Sequence, residues 1–173
     1  MDTNAIARMS CNPAIGGLAK GHMVREIDAL GGEMGLATDA TGIQFRMLNK
    51  SKGPAVWAPR AQADKHEYER YMKRALETEK NLTLRQGQVV EVLVKNGTCY
   101  GVRTKNGETF LADYVVLTTG TFLQGLIHIG EEHHPGGRRD EPPAIGLSDS
   151  LRTHGIELVR FKTGTPPRLR KES

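Results

Sequence analysis

The stretch from Gln88 to Gly120 decides the fold: Gln88-Val89-Val90-Glu91-Val92-Leu93-Val94-Lys95, then Asn96-Gly97, then Thr98-Cys99-Tyr100-Gly101-Val102-Arg103-Thr104. Lys105-Asn106-Gly107 and Glu108-Thr109-Phe110-Leu111-Ala112 follow, and Tyr114-Val115-Val116-Leu117-Thr118-Thr119-Gly120 closes it. Asn-Gly between apolar runs is a hairpin signal, because both central residues of the turn need positive φ. The spacing predicts strands over Gln88–Lys95, Thr98–Thr104 and Glu108–Ala112. With a short strand at Leu82–Arg85 they form an antiparallel β-meander over about 82–112. Tyr114–Gly120 is a continuous apolar run, the pattern of a strand buried on both faces of a parallel sheet. Helix, short strand, meander and buried strand occur in that order in a Rossmann-like flavoprotein domain. Ligands there sit at the carboxyl ends of the parallel strands, which puts Thr119 and Gly120 toward a cofactor.

Upstream, Asp64 is placed to cap a helix running to about Glu79, with Tyr68, Tyr71, Met72, Ala75 and Leu76 as its apolar stripe. Lys50–Ala61 reads as irregular, since Gly53-Pro54 and Pro59 interrupt any ladder. Leu18–Leu30 reads as a helix with Val24, Ile27 and Leu30 on one face, stopped by Gly31-Gly32. A Gly/Thr/Asp-rich loop then leads into Gly42–Asn49, whose type the residues leave open.

Downstream, periodicity weakens from Phe122. His128, His133 and His134 lie near Glu131 and Glu132 without helical or thiolate metal spacing, so a solvated loop is expected and no metal site. Leu147–Thr153 reads as a short helix started by Ser148 or a neighbour, and Ile156–Phe161 as a strand. The division expected is 1–125 as a partial FAD-binding domain and 126–173 as the start of a second, nicotinamide-side domain.

The 173 residues are 38% hydrophobic and 25% charged, ordinary for a globular protein. No apolar run reaches membrane-spanning length and the N-terminus lacks a signal-peptide core, so a cytoplasmic protein with no membrane contact is expected. Two cysteines, Cys11 and Cys99, exclude a disulfide framework. A net charge of +4 makes a polyanionic partner plausible.

Ser10-Cys11-Asn12-Pro13-Ala14-Ile15-Gly16-Gly17 concentrates a thiol, an amide, a proline and two glycines. Read as a phosphate turn it fails: no G-x-G-x-x-G follows an apolar strand, and no acidic residue ends a second strand beyond it. Cys11, ahead of the Leu18–Leu30 helix, is a candidate reactive thiol with its pKa lowered by the helix dipole; packing is the alternative. Lys50–Arg60 mixes bases with the only tryptophan, Trp57. That mixture suits either nucleotide stacking or a surface turn with one anchoring aromatic.

The Ser10–Gly17 loop resembles one family closely. So do Glu26–Gly32, Gly42–Arg46, Ser51–Ala55, Arg60–Asp64, Gly120–Leu123, Ile127–Gly130 and Lys162–Arg168. The family is glucose-inhibited division protein A, the FAD-dependent tRNA uridine 5-carboxymethylaminomethyl modification enzymes. The resemblance implies FAD as cofactor and NADH as reductant, with a one-carbon folate and glycine or ammonia. It also implies a GTPase partner, a homodimer when full length, and the wobble uridine of tRNA as substrate. Carried onto this chain, FAD contacts fall on Cys11, Asn12, Pro13, Gly16 and Gly17 beside the flavin ring. Val89 would hold the adenine end through its backbone, and further contacts fall on Thr119, Gly120 and Ala144. The family often has serine at that last position, and alanine has no hydroxyl to offer. The resemblance further implies that a first strand and glycine-rich turn precede Met1. A second catalytic cysteine, most of the nicotinamide domain and a helical domain would follow Ser173. The alternatives are the related FAD- and folate-dependent tRNA methyltransferases, or a non-catalytic basic module binding RNA or protein.

Overall fold

Three short strands, none adjacent to its partner in sequence by a tight turn, build the sheet of the first half: β1 (Ala14–Gly16), β2 (Gly42–Leu48) and β3 (Ala58–Ala63). Their order is β1-β3-β2, all antiparallel. This is a computed structural model, and it describes residues 2–9, 12–164 and 170. The chain divides into two compact units, Met1–Gln86 and Gly87–Ser173.

In unit 1, α1 (Lys20–Ala29) ends where Gly31-Gly32 predicts. Gly31 N–H bonds Asp28 O at 2.9 Å and Gly32 N–H bonds Ile27 O at 2.9 Å, a Schellman closure with Gly31 at φ 83°. The segment expected to be a loop after it is a helix, α2 (Glu33–Thr41). Burial overrides its loop-like composition. Ala37 is fully buried against Ala63 and Tyr68, and the hydroxyls of Thr38 and Thr41 bond back to Met34 O and Ala37 O at 2.7 Å. α3 (Lys65–Thr78) starts as expected: Asp64 Oδ1 accepts from the N–H groups of His66 and Glu67 at 2.9 and 3.0 Å. Tyr68 is buried, and Tyr71 and Met72 pack beside it.

The expectation of irregular chain over 50–61 fails at β3, because the strand tolerates its proline. Pro59 O accepts from Gly17 N–H at 2.9 Å, so residue 59 points its backbone polar groups toward β1, just past the end of that strand. The missing N–H falls where no ladder partner is due.

In unit 2, β4 (Val89–Lys95), β5 (Thr98–Thr104) and β6 (Thr109–Leu111) form the antiparallel meander in sequential order. Asn96 (φ 52°) and Gly97 (φ 77°) both take the left-handed conformation that a two-residue hairpin turn demands. α4 (Leu147–Thr153) covers the meander through Leu147, Leu151 and Val92. Ser150 Oγ accepts from Val92 N–H at 3.0 Å. Gly146, not Ser148, is the residue at the helix start. A second hairpin, β7 (Leu126–Ile129) with β8 (Glu132–Pro135), replaces the expected histidine loop.

Three expected strands are absent. Leu82–Arg85 and Ile156–Phe161 join no ladder, and neither does Tyr114–Gly120. Tyr114 is 89% and Val116 83% exposed, so that apolar run is not buried here. An apolar run becomes a strand only against a free sheet edge. Among the described residues every paired strand is antiparallel, and the one parallel contact is the isolated bridge Leu123–Ala144. What stands is an α/β chain with small antiparallel sheets.

Candidate functional site

The positions carried over from the resemblance fall in both units. Asn12, Pro13, Gly16 and Gly17 belong to unit 1, while Val89, Thr119, Gly120 and Ala144 belong to unit 2. Cys11 lies outside the described residues. The described chain resumes at Asn12 and enters strand β1, and α1 begins at Lys20 rather than at Leu18.

In unit 1 the loop is fastened along β3. Pro13 O accepts from Ala63 N–H at 2.7 Å, and Asn12 Oδ1 accepts from Gln62 Nε2 at 3.1 Å. A Cβ on Gly16 would meet Pro59 O at 2.2 Å, so sheet packing, not a ligand, requires this glycine. Gly17 differs: only Leu48 Cδ1, at 3.9 Å, lies near a Cβ placed there.

β1, Gly16-Gly17 and α1 do form a strand–turn–helix, the shape of a phosphate turn. Such a turn works by presenting free N–H groups. Here Gly17 N–H goes to Pro59 O, Lys20 N–H to Leu18 O, Gly21 N–H to Gly17 O and Met23 N–H to Ala19 O. These four donors are spent internally. Beside the turn, a cavity of about 520 Å³ is bounded by Ile15, Gly16, Val24, Thr38, Phe45, Met47 and Ala61, with Arg25, Asp28, Asp39, Arg46 and Arg60 among its lining residues. An apolar floor with a few polar groups is the form of a small-molecule site.

In unit 2 the carried positions converge. Val89 and Leu123 pack on the same Val92–Leu147–Leu151 cluster. Gln88 Nε2 donates to Ile145 O at 3.0 Å, and Gly146 approaches Val90 so closely that a Cβ would lie 3.1 Å from its Cβ. Ala144 N–H donates to Phe122 O at 2.8 Å and Ala144 O accepts from Gln124 N–H at 2.9 Å. Its backbone is therefore engaged and its side chain is a methyl, which leaves only packing, or the second lone pair of the carbonyl, for a ligand. Thr119 and Gly120 begin a turn closed by Phe122 N–H to Thr119 O, and a Cβ on Gly120 would meet nothing within 4 Å. Gly17 in unit 1 and Gly120 in unit 2 are thus the carried glycines whose backbone lies open on its own unit.

Trp57 is 44% exposed and its Nε1 donates to Lys50 O at 3.3 Å, the geometry of an anchored turn. His128 and His133 stand opposite each other across β7–β8, with ring centroids 4.3 Å apart. No group of three or more metal-ligating side chains occurs among the described residues.

One feature escapes the sequence reading. Gln44, Arg46, Arg60 and Gln62 share one face of the β2–β3 ladder. The signal is the alternation Gln44-Phe45-Arg46-Met47, which Pro59 hides on the facing strand by making 50–61 look broken.

The profile of the family described as "Glucose inhibited division protein A" matches residues 1–173. The tRNA uridine 5-carboxymethylaminomethyl modification enzyme MnmG of Protochlamydia amoebophila is 56% identical over 173 residues, 100% of this chain and 28% of that protein. The enzyme of the same name from Geotalea uraniireducens is 59% identical over 169 residues, 98% of this chain and 27% of its own length. Among solved structures, Aquifex aeolicus GidA in its form II crystal superposes with a TM-score of 0.89 at 57% identity, over 95% of this chain and 27% of that one. The GidA-related protein from Thermus thermophilus is less similar, with a TM-score of 0.51 and 27% identity over 56% of this chain and 43% of its own. The chain spans less than a third of the length of the MnmG and GidA relatives it matches. It belongs to the glucose inhibited division protein A family.

Proposed function

We propose that this chain is part of an FAD-dependent tRNA-modifying enzyme that installs the carboxymethylaminomethyl group at C5 of the wobble uridine, with NADH as reductant and a GTPase as partner. The observation that carries the reading is the family match over all 173 residues together with the activity for which relatives 56% and 59% identical to it are named. The working protein in this reading is a cytoplasmic homodimer. No described helix is long and apolar enough to cross a membrane. Residues 1–125 are assigned to a Rossmann-like FAD-binding domain and 126–173 to the start of the nicotinamide-side domain.

FAD, when bound, supplies the redox chemistry. This chain's residues hold and orient it. Asn12, Pro13, Gly16 and Gly17 border the ring, with Cys11 as the thiol beside it. Val89 holds the adenine end, Thr119 and Gly120 give a backbone approach, and Ala144 contributes packing or the second lone pair of its carbonyl.

Deleting the gene that encodes this segment and analysing bulk tRNA nucleosides by mass spectrometry tests the reading. Loss of the C5-carboxymethylaminomethyl wobble nucleoside is expected. Its undiminished presence overturns the assignment, and loss of a C5-methyl nucleoside instead points to the methyltransferase relatives. A flavin-fluorescence titration of the chain tests the cofactor half. These 173 residues hold no G-x-G-x-x-G, so weak FAD binding is expected of the chain itself, and stoichiometric binding at micromolar flavin overturns that expectation.

A further inference from the structure

We propose that Arg46 and Arg60, opposed across the β2–β3 ladder, form an oxyanion subsite that grips one phosphate group of a ligand lying beside the Asn12–Gly17 segment. The inference deepens the tRNA-modifying reading and rests on it only for the source of that phosphate, the backbone of an RNA. The subsite itself stands on the geometry of unit 1.

Register pairs Arg46 with Arg60, and residues directly opposite place their Cβ atoms about 5 Å apart on one face. The same row ends on β1 at Gly16, which has no side chain to cover the guanidiniums. The neighbouring row on that face is Gln44 and Gln62. These two rows therefore offer guanidinium and carboxamide donors and no carboxylate; Asp28 and Asp39, from the helices, line the same cavity.

Arg60 is held in place. Its Nη2 donates to Gln62 Oε1 at 3.3 Å, and Gln62 Nε2 donates in turn to Asn12 Oδ1 at 3.1 Å. A carboxamide bonded at both ends is fixed in orientation, and it fixes the planar fork that recognises phosphate in bidentate fashion. This chain of bonds ties the subsite to the loop assigned to the flavin.

Like charges directly opposite destabilise a ladder. Among the described residues neither guanidinium has a carboxylate oxygen within 4.0 Å. A phosphate between the two removes that repulsion and accepts from both. In the adjacent strand–turn–helix the N–H groups of Gly17, Lys20, Gly21 and Met23 are already engaged, and the two guanidiniums bring the positive charge that a phosphate requires.

The test compares the wild-type chain with R46Q/R60Q, using a labelled RNA stem-loop of tRNA-anticodon size and, separately, inorganic pyrophosphate followed by arginine side-chain NMR. The double variant is expected to bind the RNA about tenfold more weakly at 0.1 M salt, with the slope of log affinity against log salt smaller by roughly 0.7–0.9, one phosphate contact. R60K, which keeps the charge and loses the fork, falls between the two. Pyrophosphate is expected to shift the Arg46 and Arg60 resonances of the wild type. RNA binding unchanged in R46Q/R60Q overturns the RNA source, while a pyrophosphate response retained in the wild type and lost in the variant supports a subsite for a small-molecule phosphate. A wild-type chain that answers pyrophosphate but ignores RNA supports the subsite and counts against the tRNA reading alone. No response to either probe, or a melting temperature of R46Q well below wild type, overturns the subsite.

Discussion

The two three-stranded sheets use the same cross-strand slot in opposite ways. In the meander, β4 and β5 set Glu91 against Arg103, with Arg103 Nη1 2.7 Å from Glu91 Oε2. In unit 1, β2 and β3 set Arg46 against Arg60 with no acid between them. The meander settles its own electrostatics, while the β1–β3–β2 sheet carries charge that its own strands leave unbalanced. Such imbalance is expected where a surface is built for a ligand rather than for stability.

Glycine substitutions separate the sheets most strongly. G16A forces a Cβ to within 2.2 Å of Pro59 O at a residue whose φ is 108°, so β1 must leave β3. A loss of about 3 kcal/mol or more in urea unfolding is expected. Gly97 has nothing within 4 Å of its Cβ position and needs only its left-handed φ of 77°. G97A is therefore expected to cost about 1 kcal/mol. Equal costs would mean that close backbone approach is not what holds β1 on β3.

The same contrast explains what could be read from residues alone. The meander is local. Asn96-Gly97 announces its turn, alternation announces its strands, and both lie within a short window. Asp64 and Gly31-Gly32 likewise mark helix ends by local chemistry. The site sheet is non-local: Ile15 finds Ala61, and Gln44 finds Gln62 across a bulge at Ile43. Pro59 mimics a chain break, and only the end of β1 beside it makes the residue tolerable. α2 was hidden for a related reason, since Ala37 is buried by Ala63 and Tyr68 from other elements. Tyr114–Gly120 erred the other way. Its apolar pattern requires sheet neighbours, and no described strand provides them. Of the candidate site, the concentration of glycines in the Ser10–Gly17 stretch stands out in the sequence, but the Arg46–Arg60 pair does not, because a pair across a ladder exists only once the register is known.

A charge exchange probes the two slots directly. R46E turns the β2–β3 slot into the kind of pair the meander has, Glu opposite Arg. Both side chains of the Glu91–Arg103 pair are more than a third exposed, at 41% and 46%, so such a pair is worth only about 0.5 kcal/mol after solvent screening. R46E is expected to gain stability of that order over wild type at low salt, with the gain fading as salt rises, and to lose RNA binding. E91Q is expected to lose a comparable amount. Thermal melts at two ionic strengths check both, and a loss of stability in R46E would show that Arg46 has a structural partner.

A subtler difference lies in how the two units start the helices that cover their sheets. α3 starts from the Asp64 carboxylate, which accepts from the N–H groups of Glu67 and His66; the Glu67 bond is the larger cause holding its pKa below the ordinary value. α4 starts from Gly146, with no side-chain cap. A folded-state pKa below the unfolded one adds stability that is present above the unfolded pKa and disappears as pH falls through the folded value. Unit 1 is therefore expected to loosen at the start of α3 as pH drops from about 5 toward 3, and α4 is not. Hydrogen exchange of amides 65–70 and 147–153 across that range reads the difference. In D64N, whose side chain still accepts a hydrogen bond but does not titrate, α3 should match wild type at the acid end and lose its pH dependence between those limits. Parallel acid loosening of both helices, or an unchanged pH response in D64N, would remove the Asp64 cap as the cause.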